Sequence, residues 1–261
     1  MLIIPILALM ISVVILGGGN VATHLFKALN KSKESSVIQW YNRDLDRIKP
    51  YANTVPITDD LNLLVQADVY ILAVNDDAIA KLSSELPFED RLVVHTSGSV
   101  SIYDLDKKHK RGVLYPLQSF SKDSKIDFAN VPICIETVDK KSYPLLKTLA
   151  VSMGSPTKRI NSDQRKVLHL AAVFVNNFTN QLYRIGHEIT ESEGAEFDLL
   201  KPLILETAKK IQDISPFQAQ TGPAKRNDKK TIKKHLKILE NKQHQDIYEL
   251  LTQSIQNTHG R

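Results

Sequence analysis

The chain has 261 residues, 42% of them hydrophobic, so it can bury a core of its own and has room for one or two domains but not three. Its single cysteine, Cys134, excludes an intrachain disulfide and gives no sign of an oxidising compartment, so a cytoplasmic protein with a buried thiol is expected. The net charge of +5 is concentrated between Lys225 and Lys237, where Lys229, Lys233 and Lys237 share one helical face and Ile232, Leu236 and Leu239 another; that is a solvated amphipathic helix, and no nucleic-acid partner is expected.

The first sixteen residues, MLIIPILALMISVVIL, are uncharged. They lack a basic leader and a small-residue cleavage site, and they fall short of the ~20 apolar residues that a spanning helix needs. No spanning segment is expected, a membrane anchor being the alternative only if residues 1–9 are a genuine apolar arm. Met10 followed by ISVVILGGG reads as an ordinary start for a first buried strand, so residues 1–9 are either an overcalled start or an added apolar arm.

From Val13 to about Ile160, apolar runs alternate with helical patterns. The runs are SVVIL, VIQWY, DVYILAV, RLVVHT, GVLY and PICIE. Between them NVATHLFKALN, DLDRIKPY, DDLNLLVQ and DDAIAKLSSEL read as crossover helices. This rhythm predicts an α/β domain over residues 1–160, a Rossmann-type, mainly parallel sheet flanked by helices. After Ile160 the strand signal stops. Asn161 and Gln164 stand at capping-box spacing before a long helix that closes at Gly194. Further helices are predicted at about 196–213 and 228–257, so residues 161–261 read as an all-helical second domain.

Gly17, Gly19 and Ala22 form G-x-G-x-x-A directly after the first strand, so the turn from Gly17 through Gly18, Gly19, Asn20 and Val21 to Ala22 is predicted to hold a dinucleotide. The first glycine permits the tight turn, the second lets backbone approach the diphosphate, and Ala22 keeps helix and strand close. The phosphates would meet the free N–H groups of the helix N-terminus. The second strand ends in Asn42 and Arg43 where NAD enzymes place an acid. A guanidinium there suits a 2′-phosphate, so the expected cofactor is NADP, with Asp44 capping the next helix. Ala73, Val74 and Asn75 end the next buried strand and Thr96, Ser97 and Gly98 the one after; both loops are placed to pass beneath the ribose and nicotinamide.

Polar residues interrupt the apolar interior of the long helix. Steps of about 100° place His169, Val173, Asn176 and Asn180 in one stripe. His169 has the chemistry of an acid near neutrality, Asn176 could hold an acceptor, and Asn180 lies beside them. Pro116 would end the fifth run so that Tyr115, Gln118 and Ser119 turn toward substrate. No metal site is read.

The glycine turn, the NR after the second strand, ADVYILAV and the α/β half followed by helices resemble the 6-phosphogluconate dehydrogenase-like superfamily, which includes pyrroline-5-carboxylate reductase and deazaflavin-dependent NADP reductases. More narrowly, HTSGS, YPLQSFS, LHLAAVFVNNFTNQL and QTGPAKRND resemble Rossmann-like proteins with a DUF2520 C-terminal domain, labelled NADP oxidoreductases. The resemblance spans nearly the whole chain from Met10 onward. It implies an NADP(H)-dependent oxidoreductase that passes a hydride to a carbonyl or imine of a small molecule bound between the two halves. It also implies a homodimer, and it draws attention to QTGPAKRND, where Thr221 would cap a helix opened by Gly222 and Pro223. One departure matters: the superfamily's hydroxyacid dehydrogenases carry a helix lysine a turn before an asparagine, whereas Lys166 does not share a face with Asn176 in that way. Their mechanism is not transferred. A dinucleotide-binding sensor without turnover remains the alternative.

Overall fold

The computed structural model describes residues 10–259, so the expectations for residues 1–9 concern positions outside that range. The chain divides into two compact units, one ending at Asn176 and the other beginning at Asn177.

The first unit is built on an eight-stranded sheet with strands β1 (Ile11–Leu16), β2 (Ser35–Tyr41), β3 (Ile57–Thr58), β4 (Val69–Leu72), β5 (Leu92–His95), β6 (Lys110–Pro116), β7 (Ile133–Thr137) and β8 (Thr157–Arg159). Their order is β3-β2-β1-β4-β5-β6-β7-β8, and every pair is parallel except β6 with β7. The mainly parallel Rossmann-type sheet expected from the sequence is therefore present, followed by a helical C-terminal portion. Order reverses between β1 and β4, which opens a crevice at the carboxyl ends of those two strands.

Val13 to Leu16 are fully buried, as a central parallel strand covered on both faces requires. Val13 and Ile15 belong to the core shared with α1 (Asn20–Leu29) and α3 (Tyr143–Ser152). Val14 and Leu16 point to the opposite core, with Ile79 of α2 (Asp76–Glu85). Trp40 on β2 is fully buried against Phe26 and Tyr51. Cys134 is a buried free thiol, raised by burial.

The structure departs from the sequence expectations at several elements. DLDRIKPY and DDLNLLVQ form short 3₁₀ turns, Leu45–Arg47, Lys49–Tyr51 and Leu61–Leu63. The carboxylates of Asp44 and Asp60 accept from the amides of Asp46 and Asn62 at 3.2 and 2.9 Å, and Pro50 removes a donor; both favour tight turns over a helix. PICIE becomes β7 and runs antiparallel to β6: the connection, residues 117–132, holds only the 3₁₀ turn Phe128–Asn130 and no crossover helix to carry the chain back. The polar edge strand β8 has no apolar signature to announce it.

The long helix also differs from its expected form. Asn161 and Gln164 do form the capping box that opens α4 (Ser162–Ala172). Val173–Phe178 is then π-helical before α5 (Thr179–Ser192) resumes. The wider π turn breaks the regular 100° step, so the stripe of His169, Val173, Asn176 and Asn180 does not hold as drawn.

In the second unit, α5 is followed by α6 (Lys201–Asp213), the single turn α7 (Pro216–Ala219), α8 (Lys229–Ile238) and α9 (Lys242–His259). The one helix expected over 228–257 is thus two. Asn241 accepts from the amides of Gln243 and His244, capping α9 afresh. On α8 the lysines are exposed while Ile232 and Leu236 are half-buried, with Leu239 buried just beyond, as the amphipathic pattern requires. Among the described residues no helix is long and apolar enough to cross a membrane.

His95, at the end of β5, is fully buried. Burial, reinforced by the Arg165 guanidinium and opposed in part by the Ser101 backbone, lowers it from 6.5 to about 3. The unfolded chain takes up a proton at this residue in a pH interval where the folded chain does not, so stability falls as pH drops from about 6.5 toward 3. Urea unfolding at pH 7 and pH 4.5 is expected to show a loss of a few kcal/mol that is smaller in His95→Gln. Equal losses in both proteins would remove the assignment to His95.

Candidate functional site

The crevice at the ends of β1 and β4 is set by Gly17. Its φ is +122°, and a Cβ there would lie 2.1 Å from the Ala73 carbonyl oxygen, so only glycine lets the two strand ends approach. The Gly17 amide donates to the Tyr41 carbonyl at 2.9 Å, and its own carbonyl accepts from Trp40 Nε1 at 2.6 Å. Gly18 is also crowded, its notional Cβ 3.0 Å from the Asn42 side chain. Gly19 is different. A Cβ there would meet nothing within 4 Å, and Gly19 caps α1 with no side-chain hydrogen bond and no acid in the first turn. The first N–H groups of α1 thus border open space, which fits a diphosphate. Asn20 turns its amide to the Phe120 carbonyl at 2.9 Å, Val21 is half-buried, and Ala22 is fully buried beneath the helix.

One cleft, of about 340 Å³, is lined by Gly17, Gly18, Gly19, Asn42, Arg43 and Ala73 to Asn75. A larger hollow of about 910 Å³ lies at the opposite, amino-terminal edge of the sheet, beside Ser12, Asp68 and Lys110. Ligands of open α/β sheets bind outside the strand carboxyl ends, so the smaller cleft is the candidate. Within it Asn42 Nδ2 donates to the Asp44 carbonyl at 2.6 Å, leaving Arg43 exposed beyond. Asn75 caps α2 without a side-chain bond.

Arg47 and Lys81 line the same cleft, and the sequence reading missed both. Arg47 lay in a presumed helix that is a 3₁₀ turn, and its contact to Asp44 at 3.4 Å is solvent-exposed. Lys81 lies in the second turn of α2, facing Glu85 at 3.7 Å. Its signal was available: a helix that starts at the carboxyl end of β4 presents its early turns to the crevice. Tyr41, also in the lining, has its hydroxyl raised by burial first and by Glu85 second.

A second group gathers at the end of β5. Thr96 donates its amide to the Leu72 carbonyl at 3.3 Å. Ser97 Oγ accepts from the amides of Ser99 and Val100 at 3.0 and 3.1 Å, so this hydroxyl shapes the loop. Gly98 is buried against His169 of α4: a Cβ at Gly98 would lie 2.6 Å from His169 Nδ1. That nitrogen is also 3.1 Å from Tyr115 Oη. Tyr115 is 8% exposed, and its hydroxyl is pushed up to about 12 by burial and then by Cys134, against a lowering by Arg165.

Arg165, one helical turn before His169, is fully buried and was also missed. Its guanidinium donates to the Glu136 carboxylate of β7, to the Val100 carbonyl and, at 3.2 Å, to Ser162 Oγ. Ser162 in turn donates to Glu136 from its amide at 3.0 Å and its hydroxyl at 2.8 Å. A charged residue in an amphipathic helix reads as solvated, so no pattern announced its burial.

Asn176 is exposed in the π-helical stretch. Gln118 and Ser119 are exposed, and Gln118 Oε1 accepts from the Ser119 amide at 2.8 Å. In the second unit Asn180 and Thr221 are exposed, and Gly222 has φ +101°. Thr221 caps no helix: residues 222–227 form turns, and α8 begins at Lys229 under Asp228, whose carboxylate accepts from the Thr231 amide at 3.0 Å. Among the described residues no three His, Cys, Asp or Glu side chains are grouped to hold a metal.

Comparison with known proteins places these features in a family. The family model described as NADP oxidoreductase, coenzyme F420-dependent, matches residues 12–98, and that of a domain of unknown function, DUF2520, matches residues 131–255. A crystal structure from Bacteroides fragilis, described as a putative NADP oxidoreductase, is 37% identical with a TM-score of 0.85, covering 95% of this chain and 98% of its own. A Thermotoga maritima protein shares 22% identity at a TM-score of 0.72, over 95% and 98% of the two chains. The 1-pyrroline-5-carboxylate reductase of Streptococcus pyogenes shares 14% at 0.64, over 96% and 99%, a likeness of fold. No curated protein matches the chain. With more than a third of residues identical over nearly the full length of both chains, the protein belongs to the DUF2520 family of NADP oxidoreductase-like proteins.

Proposed function

We propose that the protein is an NADPH-dependent reductase that transfers a hydride to the carbonyl or imine carbon of a small-molecule substrate. The observation that carries this reading is the open cradle over Gly19, bordered by uncapped α1 amides and continuous with a cleft lined by Arg43, Arg47 and Lys81. The amides at the start of α1 hold the diphosphate, and the three cations hold a 2′-phosphate. Ala73 to Asn75 and Thr96 to Gly98 supply backbone at the ends of β4 and β5, where the ribose and nicotinamide would lie. The nicotinamide, when bound, supplies the hydride. His169 gives a proton to the acceptor as it is reduced.

Arg43→Ala is expected to weaken NADPH binding about ten- to a hundredfold while NADH binding changes little, read by fluorescence titration. Equal losses for the two nucleotides would show that Arg43 does not hold the phosphate. Against a panel of carbonyl and imine acids, followed at the nicotinamide absorbance band, His169→Ala is expected to lose about a hundredfold or more in kcat at unchanged NADPH affinity. Tight NADPH binding with no acceptor reduced by the parent protein would favour a sensor without turnover.

The reading extends to a homodimer. Val167, Leu170, Leu199, Leu203 and Leu250 are each more than half exposed, apolar side chains that a second copy could cover. Sedimentation at micromolar concentration is expected to give twice the chain mass. A monomer under those conditions would overturn the extension.

A further inference from the structure

The pairing of Tyr115 with His169 carries the inference furthest. An imidazole exchanges protons through whichever nitrogen its other contacts leave available. Here Nδ1 is occupied from two sides, by Tyr115 Oη at 3.1 Å and by Gly98, where even a methyl group would lie 2.6 Å away. The rings meet edge to face, with centroids 6.1 Å apart and planes at 74°. Tyr115 is itself fixed: it packs with Ile102, Val113 and Cys134, and its strand pairs with β7 at Cys134.

We propose that Tyr115 is the positioning residue of His169, holding Nδ1 so that proton delivery runs through Nε2 alone. This rests on the reading of His169 as the proton donor. The protonated ring passes its Nε2 proton to the oxygen or nitrogen of the acceptor that has gained the hydride. Nδ1–H remains on the phenol oxygen, the ring ends neutral, and Nε2 regains its proton from water. The phenol neither gains nor loses a proton, in keeping with a buried hydroxyl pushed up to about 12. Its neutrality matters chemically. A carboxylate in its place would hold the ring protonated, whereas an uncharged oxygen orients the ring and leaves the proton deliverable.

The test uses the full chain labelled with ¹⁵N-histidine, with NADPH bound. The expected signature is a slowly exchanging Nδ1 proton, assigned to His169 by its loss in His169→Gln. In Tyr115→Phe, which keeps the ring, this resonance is expected to vanish while the thermal midpoint and NADPH affinity hold. With any acceptor that is turned over, kcat is expected to fall about tenfold at unchanged KM for NADPH. A protected proton on Nε2, or an Nδ1 resonance that survives in Tyr115→Phe, overturns the proposal. If the Nδ1 resonance behaves as expected but His169→Gln keeps full turnover, the hydrogen bond stands and the reading of His169 as the acid is what fails. Should Tyr115→Phe lose the fold, the parent protein decides by itself: a protected Nδ1 proton on His169 upholds the proposal, and a protected Nε2 proton, or no protected proton on the ring, overturns it.

Discussion

The arrangement around β5 depends on one buried ion pair. Arg165 has no exposed surface, and an uncompensated guanidinium in such a place costs several kcal/mol. Compensation comes from three directions: the Glu136 carboxylate on β7, the Val100 carbonyl after β5, and Ser162 at the start of the same helix. None of these is adjacent in sequence to the others. The cation therefore fixes the first turn of α4 against β7 and the loop after β5 at once, and His169, one turn further along, inherits its place beside Gly98 from that clamp. The capping box of Asn161 and Gln164 adds a local term to the same end, fixing where the helix begins.

A steric constraint does comparable work at the crevice. The Ala73 carbonyl occupies the space a side chain at position 17 would need, so the backbones of β1 and β4 close upon each other while Gly19 keeps the space beyond them open. Trp40 joins this arrangement from β2 by donating to the Gly17 carbonyl, so a residue in the aromatic core also orients the turn. Fold and site are here the same contacts.

Where the chain's own periodicity decides the structure, the sequence was readable. Four consecutive apolar residues before three glycines specify a doubly covered strand and a tight turn, and α1 follows with Ala22, Leu25, Phe26 and Leu29 on its buried face. The α8 amphipathic pattern was legible for the same reason. What could not be read was settled by tertiary contacts or by geometry without a residue signature. The reversal of β7 follows from a connection too poor in helix to cross over. The edge strand β8 pairs through backbone alone. Arg165 is buried because Glu136 awaits it from a strand 29 residues earlier. The π-helical stretch has no composition of its own, and a stripe drawn on a uniform helix went astray there. Asn241 is a different case, since a capping residue inside the predicted last helix was available to mark its break.

The contact between Gly98 and His169 has an evolutionary corollary. Two positions 71 residues apart in the chain share one volume, so neither is free to drift by itself. A descendant that exchanged the imidazole for a smaller group would release the glycine to accept a methyl group, and one that first acquired the methyl group would have to evict the ring. Substitution at the two sites should therefore be linked across the lineage, and a member without the glycine would be expected to have given up this placement of the histidine as well.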